Sequence, residues 1–394
     1  DRLLERYDRA GEARMTFLEE TVTTGRRRRW ELVANGSDLP LRWAEELARG
    51  RQGEEAVAEA IATLLDLAEA VTAMGHVADG TALMQRAAGI EMLRGHHEAG
   101  LELMQKVLER VEATGGTVVR AREGLLQAAL LAAGGLVHEA WDRVSGVREW
   151  LATTRDEEEN GEVLDDLALT CQLQCAGLHL LGDHSEAVVA PMIELIATCD
   201  SQEEPWHATQ SARVSLAAAL TSLGRAEEAT QQLMAIEAHL EVATAGWFNA
   251  VIMAGRLGQR ALGEAIMSGA TSVFQRTGAL GCSAIEIALE ACAAWLAFTS
   301  GQDFDRDPSE GLAKRAAASH DYEVLTIIHL LDACYAADKG DEARAQTAVH
   351  DAVEVARRHW TMDELGLMWG VLLPPSLRYL ARSLLEADRL QHVN

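Results

Sequence analysis

One short signal recurs down this chain and limits what it can fold into: a glycine, a polar turn, then Glu-Ala at the start of an apolar helical stripe. With identical internal spacing it reads Gly135, Glu139, Ala140; Gly182, Glu186, Ala187; and Gly224, Glu228, Ala229. Shortened turns carry it at 11–13 (GEA), 53–56 (GEEA), 95–99 (GHHEA) and 340–343 (GDEA), and a lengthened one at 258–265 (GQRALGEA). The alanines fall at 13, 56, 99, 140, 187, 229, 265 and 343, separated by 43, 43, 41, 47, 42, 36 and 78 residues, the last gap being two periods of 39. Self-similarity at a period near 40 is the mark of stacked helical units rather than of one large core.

The stretch from Ser215 to Leu240 shows what one unit is. Leu216, Leu220 and Leu223 share a helical stripe, Gly224 interrupts it, and Ala229, Leu233, Ile236 and Leu240 form a second stripe after a charged turn. This spacing predicts a helical hairpin. The glycine permits a left-handed cap, the acid starts the second helix, and the alanine lets the two helices approach. Between Ala265 and Ala343 the unit carries a longer turn: Asp307, Pro308 and Glu310 supply an acidic cap, a proline at the first helical position and an acid near the positive end of the helix dipole. About nine hairpins are expected. Residues 35–40, 74–80, 154–162, 200–206 and 243–247 read as turns between units, and Pro374-Pro375 interrupts the last helical region. The acidic run at 154–162 lies in the 47-residue gap, the longest single period, so it is read either as a hinge dividing the chain into two subsolenoids or as a solvated loop.

Composition agrees with an all-α chain. Aromatics are 5%, half of these 18 residues are Trp, and six prolines in 394 residues leave long helices uninterrupted. The formal net charge of -26, from 61 acids against 35 bases, repels a phosphate backbone, so no direct nucleic-acid contact is expected. The basic run Arg26–Arg29 reads as a solvated helix end. Cys171, Cys175, Cys199, Cys282, Cys292 and Cys334 lie within apolar helical patterns, which points to reduced thiols and a cytoplasmic setting. There is no signal-peptide pattern and no apolar run of about 18 residues, so no membrane association is expected. The chain opens DRLLERYDRAG without an initiator Met, which suggests an excised region or a trimmed amino terminus.

The hairpins LTSLGRAEEA, LHLLGDHSEA and LLAAGGLVHEA resemble the tetratricopeptide repeat in their small residues, turn glycine and second-helix alanine. The resemblance covers nearly the whole chain and implies one right-handed α-solenoid spanning 1–394. The period is nearer 40 than 34, the early aromatic positions are mostly aliphatic, and the closing proline is missing. In these departures the chain is similar to the long-period sensor arms of large bacterial regulators, of the maltose-regulon activator type and the actinobacterial antibiotic-regulator type. No Walker-type phosphate loop occurs, so the resemblance implies the arm without its nucleotide switch.

Chemical motifs are sparse. Cys171, Cys175 and His179 lie four apart on one stripe, with His184 beyond the turn, but a structural zinc site draws four ligands from two elements, so no metal is expected. His96 and His97 point to different sides of a turn. Asp165 and Asp166 lack the second half of an aspartate-rich metal motif. No nucleophile elbow or zinc-protease pair appears, and neither an enzyme nor a cofactor is expected. Trp206, Trp247, Trp295, Trp360 and Trp369 read as packing residues with the flat area to meet a ligand.

Recognition is the expected work. First helices of stacked hairpins line a concave surface, and the polar or unusual residues in them are the candidate contacts: Gln172, His179, His207, Gln210, Arg213, Asn249, Met253, Arg256, His329 and Asp332. The expected occupant is a protein or peptide partner or a small-molecule effector of a bacterial cytoplasmic transcriptional regulator. A free-standing peptide-binding adaptor, dimerising through a terminal repeat, is the alternative, followed by a helical small-molecule enzyme or binding protein.

Overall fold

The computed structural model describes residues 54–392 apart from 74–76, 94–96, 115–116, 155–160, 201–206, 239–245, 278–282, 302–307, 320 and 360. Among the described residues the chain is helices and turns, with no strand. The basic run at 26–29, the turn at 11–13, His96, Cys282, Trp206, Trp360, the His207 side chain and most of the 154–162 segment lie outside them. The helices divide between two compact units, Asp1–Gly116 and Thr117–Asn394.

The first unit holds α1 (Glu54–Ala73), α2 (Val77–Leu93) and α3 (His97–Thr114), each packed on the next. Leu64, Ala68, Leu83, Ala87 and Val107 form its interior, and Arg110 pairs with Glu69.

The second unit holds fourteen described helices: α4 (Thr117–Ala133), α5 (Val137–Thr154), α6 (Gly161–Leu181), α7 (Glu186–Asp200), α8 (His207–Ser222), α9 (Ala226–Ala238), α10 (Trp247–Arg256), α11 (Arg260–Thr277), α12 (Ser283–Thr299), α13 (Pro308–Ala318), α14 (Tyr322–Asp338), α15 (Glu342–His359), α16 (Met362–Leu372) and α17 (Pro375–His392). As the sequence predicts, α13 starts at Pro308 and the Pro374-Pro375 pair separates α16 from α17. From α4 to α16 each helix packs on the next, whereas α17 packs on α15, and α4, α6, α8, α10, α12 and α14 also touch along the row they form. Across that row lies α16, against α4, α6, α8, α10 and α14.

The turns explain why the chain folds back where it does. Gly135, Gly224, Gly258 and Gly340 have φ of 79°, 73°, 70° and 76°, a conformation that costs a residue with a side chain roughly 1–2 kcal/mol. The next amide then bonds the carbonyl five residues back: Leu136 to Leu131 (2.8 Å), Arg225 to Leu220 (2.8 Å), Gln259 to Ala254 (2.8 Å) and Asp341 to Ala336 (2.9 Å). Helix carbonyls otherwise left without partners are thereby satisfied.

This geometry corrects the register of the sequence signal. Five residues beyond Gly135, Gly224 and Gly340, and beyond Asp183, which is also left-handed (φ 58°), sits a buried residue: Ala140 (0% exposed), Ala229 (0%), Ala345 (1%) and Val188 (1%). Gly263 holds the same place after Gly258, where an added Cβ would lie 2.7 Å from Leu296 Cδ2. Ala187, Ala265 and Ala343, which the sequence marks as close-approach alanines, are exposed. Alanine is a good helix former on any face, so its presence does not report packing. Accordingly Ala345→Leu should lower stability by about 1–3 kcal/mol through overpacking. Ala343→Leu should change it by less than about 0.5 kcal/mol. Urea denaturation of both variants separates the two registers.

Trp247, Trp295 and Trp369 are buried, and Trp295 donates from Nε1 to the Ile252 carbonyl at 2.8 Å. No helix among the described residues is long and apolar enough to cross a membrane.

Candidate functional site

The α6–α7 turn departs from the other turns. Its left-handed residue is Asp183 (φ 58°), not the preceding Gly182, although the same helix-ending bond forms, His184 N to the His179 carbonyl at 2.8 Å. Aspartate tolerates this conformation better than most residues with a Cβ. The carboxylate has a task there. Arg378 and Arg382, one turn apart on α17, reach Asp183 at 3.1 and 3.6 Å. Arg382 also donates to the Gly182 carbonyl at 2.7 Å, and Arg378 to Ser222 Oγ at 3.4 Å, so α17 clasps the ends of both α6 and α8.

Helix α16 completes the docking. Trp369 is 2% exposed and donates from Nε1 to the Leu180 carbonyl at 3.0 Å. Gly366 lies so near α6 that a Cβ would stand 2.8 Å from Leu181 Cα, and one on Gly370 would stand 2.7 Å from Ser222 Oγ. Small residues four apart let the helix lie directly on its neighbours.

An open cavity of about 610 Å³ lies beside this joint, lined among others by His179, Asp183, His184, Ser185, Ser222 and Arg378. His179 meets the edge of Trp141 at 4.9 Å and lies 6.4 Å from His184. Burial, His184 and the Arg148 guanidinium all hold the His179 imidazole below its usual pKa, so it is neutral near pH 7. Its Nδ1 and the Nε of Arg378 are buried without a hydrogen-bond partner.

Behind His179 the stripe continues through Cys175 and Cys171. Both are free thiols. Cys175 is pulled down to about 7 by a hydrogen bond from the Cys171 thiol and by Arg148, while buried Cys171 is pushed up. Of the described cysteines, Cys175 has the most access to solvent. Iodoacetamide at pH 7 is therefore expected to alkylate Cys175 first, several-fold ahead of Cys171, Cys199, Cys292 and Cys334, as read by peptide mass spectrometry. No group of three or more His, Cys, Asp or Glu side chains among the described residues could hold a metal ion.

The residues singled out from sequence sit in different surroundings. Gln172 is exposed on α6, and His179 lines the cavity. Gln210 (3% exposed) donates to the Ile236 carbonyl at 3.2 Å, in the last turn of α9, and Arg213 reaches Gln232 at 3.2 Å and Asp200, the last residue of α7, at 2.6 Å. Arg256 approaches Cys334 Sγ at 3.7 Å and Asp338 at 4.0 Å, near the end of α14. Asp332 pairs with Arg344 of α15 at 2.5 Å, and His329, its pKa lowered by burial, feels Asp351 of α15. These side chains meet the neighbouring or partner helices, where they satisfy carbonyls and charges at helix ends. Met253 is fully buried.

Asn249 meets α16, donating from Nδ2 to Glu364 Oε2 at 3.0 Å. Glu364 is pushed up to about 8 by burial and by the charges of Asp363 and Glu323. Sequence reasoning passed over Asp183, Arg378 and Glu364. The pair of glycines four apart around Trp369 was the available signal for a tightly docked last hairpin, and with it for α17's arginines.

No family model matches the chain, and a search of curated proteins finds no match to it.

Proposed function

We propose that this chain is a non-catalytic recognition scaffold, a right-handed tetratricopeptide-like solenoid serving as the effector-sensing arm of a bacterial cytoplasmic regulator. One observation carries the reading: the turn that breaks the glycine rule, at Asp183, both anchors the last hairpin and lines the 610 Å³ cavity. A ligand entering beside Arg378 competes for, or reinforces, the contacts that hold α16 and α17 on α6 and α8. Occupancy thereby biases a docked element between two arrangements, the requirement for a sensor.

The ligand class favoured here is a small molecule rather than a long peptide, because α16 lies across the row of alternate helices where a peptide groove was expected. The test is retention. The chain is incubated with a small-molecule extract of its source cell and re-isolated by gel filtration, and the bound compounds are identified by mass spectrometry. A compound held unchanged by the wild type and lost in Arg378→Ala supports the reading. Conversion of the compound, or equal retention by Arg378→Ala, contradicts it.

A further inference from the structure

Helix α7 begins at the wall of the cavity beside Arg378, and its first turn leaves donors unused. Ser185 stands just before Glu186, where a helix start places a capping side chain that accepts from an amide two or three residues on. Those amides are already taken by carbonyls: Ala187 N–H donates to His184 at 3.0 Å and Val188 N–H to the Ser185 carbonyl at 3.1 Å. The Ser185 hydroxyl therefore caps nothing. It bonds to no group among the described residues, although the residue is 7% exposed and lines the cavity. A hydroxyl so enclosed and unpaired calls for a partner. The amides of Ser185 and Glu186 also meet no backbone carbonyl among the described residues.

Two further donors border the same space. Ser222 Oγ accepts from Arg378 at 3.4 Å, which leaves the Ser222 proton to be donated. Arg378 and Arg382 set two guanidiniums against the one carboxylate of Asp183, so the joint carries one positive charge in excess. The positive end of the α7 dipole adds to it. Two acids limit the charge that fits. Asp183 and Glu186 both line the cavity, and exposed Glu186 acts on Arg225, between α8 and α9. A group with one negative charge gains from the donors and the excess guanidinium, whereas a second negative charge adds repulsion from both acids.

We propose that the cavity takes the carboxylate of a small-molecule ligand at the start of α7, where the Ser185 and Glu186 amides, the Ser185 and Ser222 hydroxyls and the Arg378 guanidinium receive its oxygens. The assignment rests on the sensor reading above, which puts a small molecule in this cavity, and adds the chemical group by which that molecule is held.

The experiment is amide NMR on the full, deuterated chain at pH 8, titrated with sodium acetate at constant ionic strength with chloride as the balancing anion. Acetamide, of the same shape and uncharged, is the control for fit, and inorganic phosphate, a dianion at this pH, is the control for charge alone. Saturable shifts at Ser185 and Glu186 are expected with acetate, weakened about tenfold in Ser185→Ala and unchanged in Glu237→Gln on an exposed face of α9. Because the Ser185 hydroxyl has no partner in the protein, Ser185→Ala should melt with the wild type, and thermal unfolding verifies that it does. No saturable shift up to about 200 mM, an equal response to acetamide, tighter binding of phosphate than of acetate, or undiminished affinity in Ser185→Ala overturns the proposal. Acetate saturation in a chain that retains no compound would sink the sensor reading and leave this site standing. A retained compound without a carboxylate, or one held equally by Ser185→Ala, would sink this proposal and leave that reading standing.

Discussion

Trp369→Ala is expected to lower the stability of the second unit by about 3–5 kcal/mol, the range for removing a large aromatic from a packed interior. The indole is 2% exposed, lies among residues of the main core cluster, and gives its N–H to the Leu180 carbonyl at 3.0 Å. Its loss leaves a cavity where α16 meets α6 and α8. Gly366→Val should act from the opposite direction and with similar size. The new Cβ would meet Leu181 Cα at 2.8 Å and Leu181 Cβ at 2.9 Å, and backbone atoms cannot swing aside as a flexible side-chain tip can. Urea denaturation followed by near-ultraviolet circular dichroism measures both. A loss below about 1 kcal/mol for either variant would mean that α16 is not held as described.

Glu364→Gln is expected to stabilise the protein in alkaline solution and to leave it unchanged in acid. In an unfolded chain a glutamate titrates near 4.3, whereas burial and the neighbouring acids raise Glu364 to about 8 in the folded protein. The folded state therefore binds this proton more tightly, and stability falls as pH rises. The penalty is absent below about 4.3, grows through the interval, and is complete above about 8. The full shift corresponds to roughly 5 kcal/mol. Glu364 is partly open to solvent, so screening reduces that figure, and a gain of roughly 2–3 kcal/mol at pH 9 is expected. Asp363 is raised as well and adds a penalty of the same sign. Thermal unfolding at pH 4 and pH 9 checks this: the variant should melt roughly 4–10 °C above wild type at pH 9 and with it at pH 4. A constant difference at both pH values would remove Glu364 from the account.

Local structure was readable from the sequence because a repeat writes its own geometry. The helix pair within 215–238, the Pro308 helix start and the Pro374-Pro375 break follow from spacing and backbone chemistry and appear where expected, although Leu223, read as part of the first stripe, is exposed and Leu240 lies outside the described residues. The alanine register slipped at Ala187, Ala265 and Ala343 because alanine suits exposed and buried helix positions alike, whereas the left-handed turn residue counts the register correctly. At Asp183 even that mark was concealed, since the left-handed position carries an aspartate beside a glycine that does not need its freedom.

The candidate site was less legible. Polar residues interrupting an apolar stripe look alike whether they face a ligand or the end of a neighbouring helix, and Gln210, Arg213 and Asp332 do the latter. Contacts such as Trp369 with Leu180 and Arg378 with Asp183 join residues 189 and 195 positions apart. Periodicity describes neighbouring repeats and carries no information about a terminal hairpin folded back across several of them.

Hydrogen exchange across Met362–Leu372, compared between the free chain and the chain holding the compound it retains, is the most direct test of the central claim that ligand occupancy acts on the docked last hairpin. The account predicts that exchange in this helix changes at least tenfold on binding while α12 and α13 change little. Unchanged exchange in 362–372, or a chain that retains no compound, contradicts it.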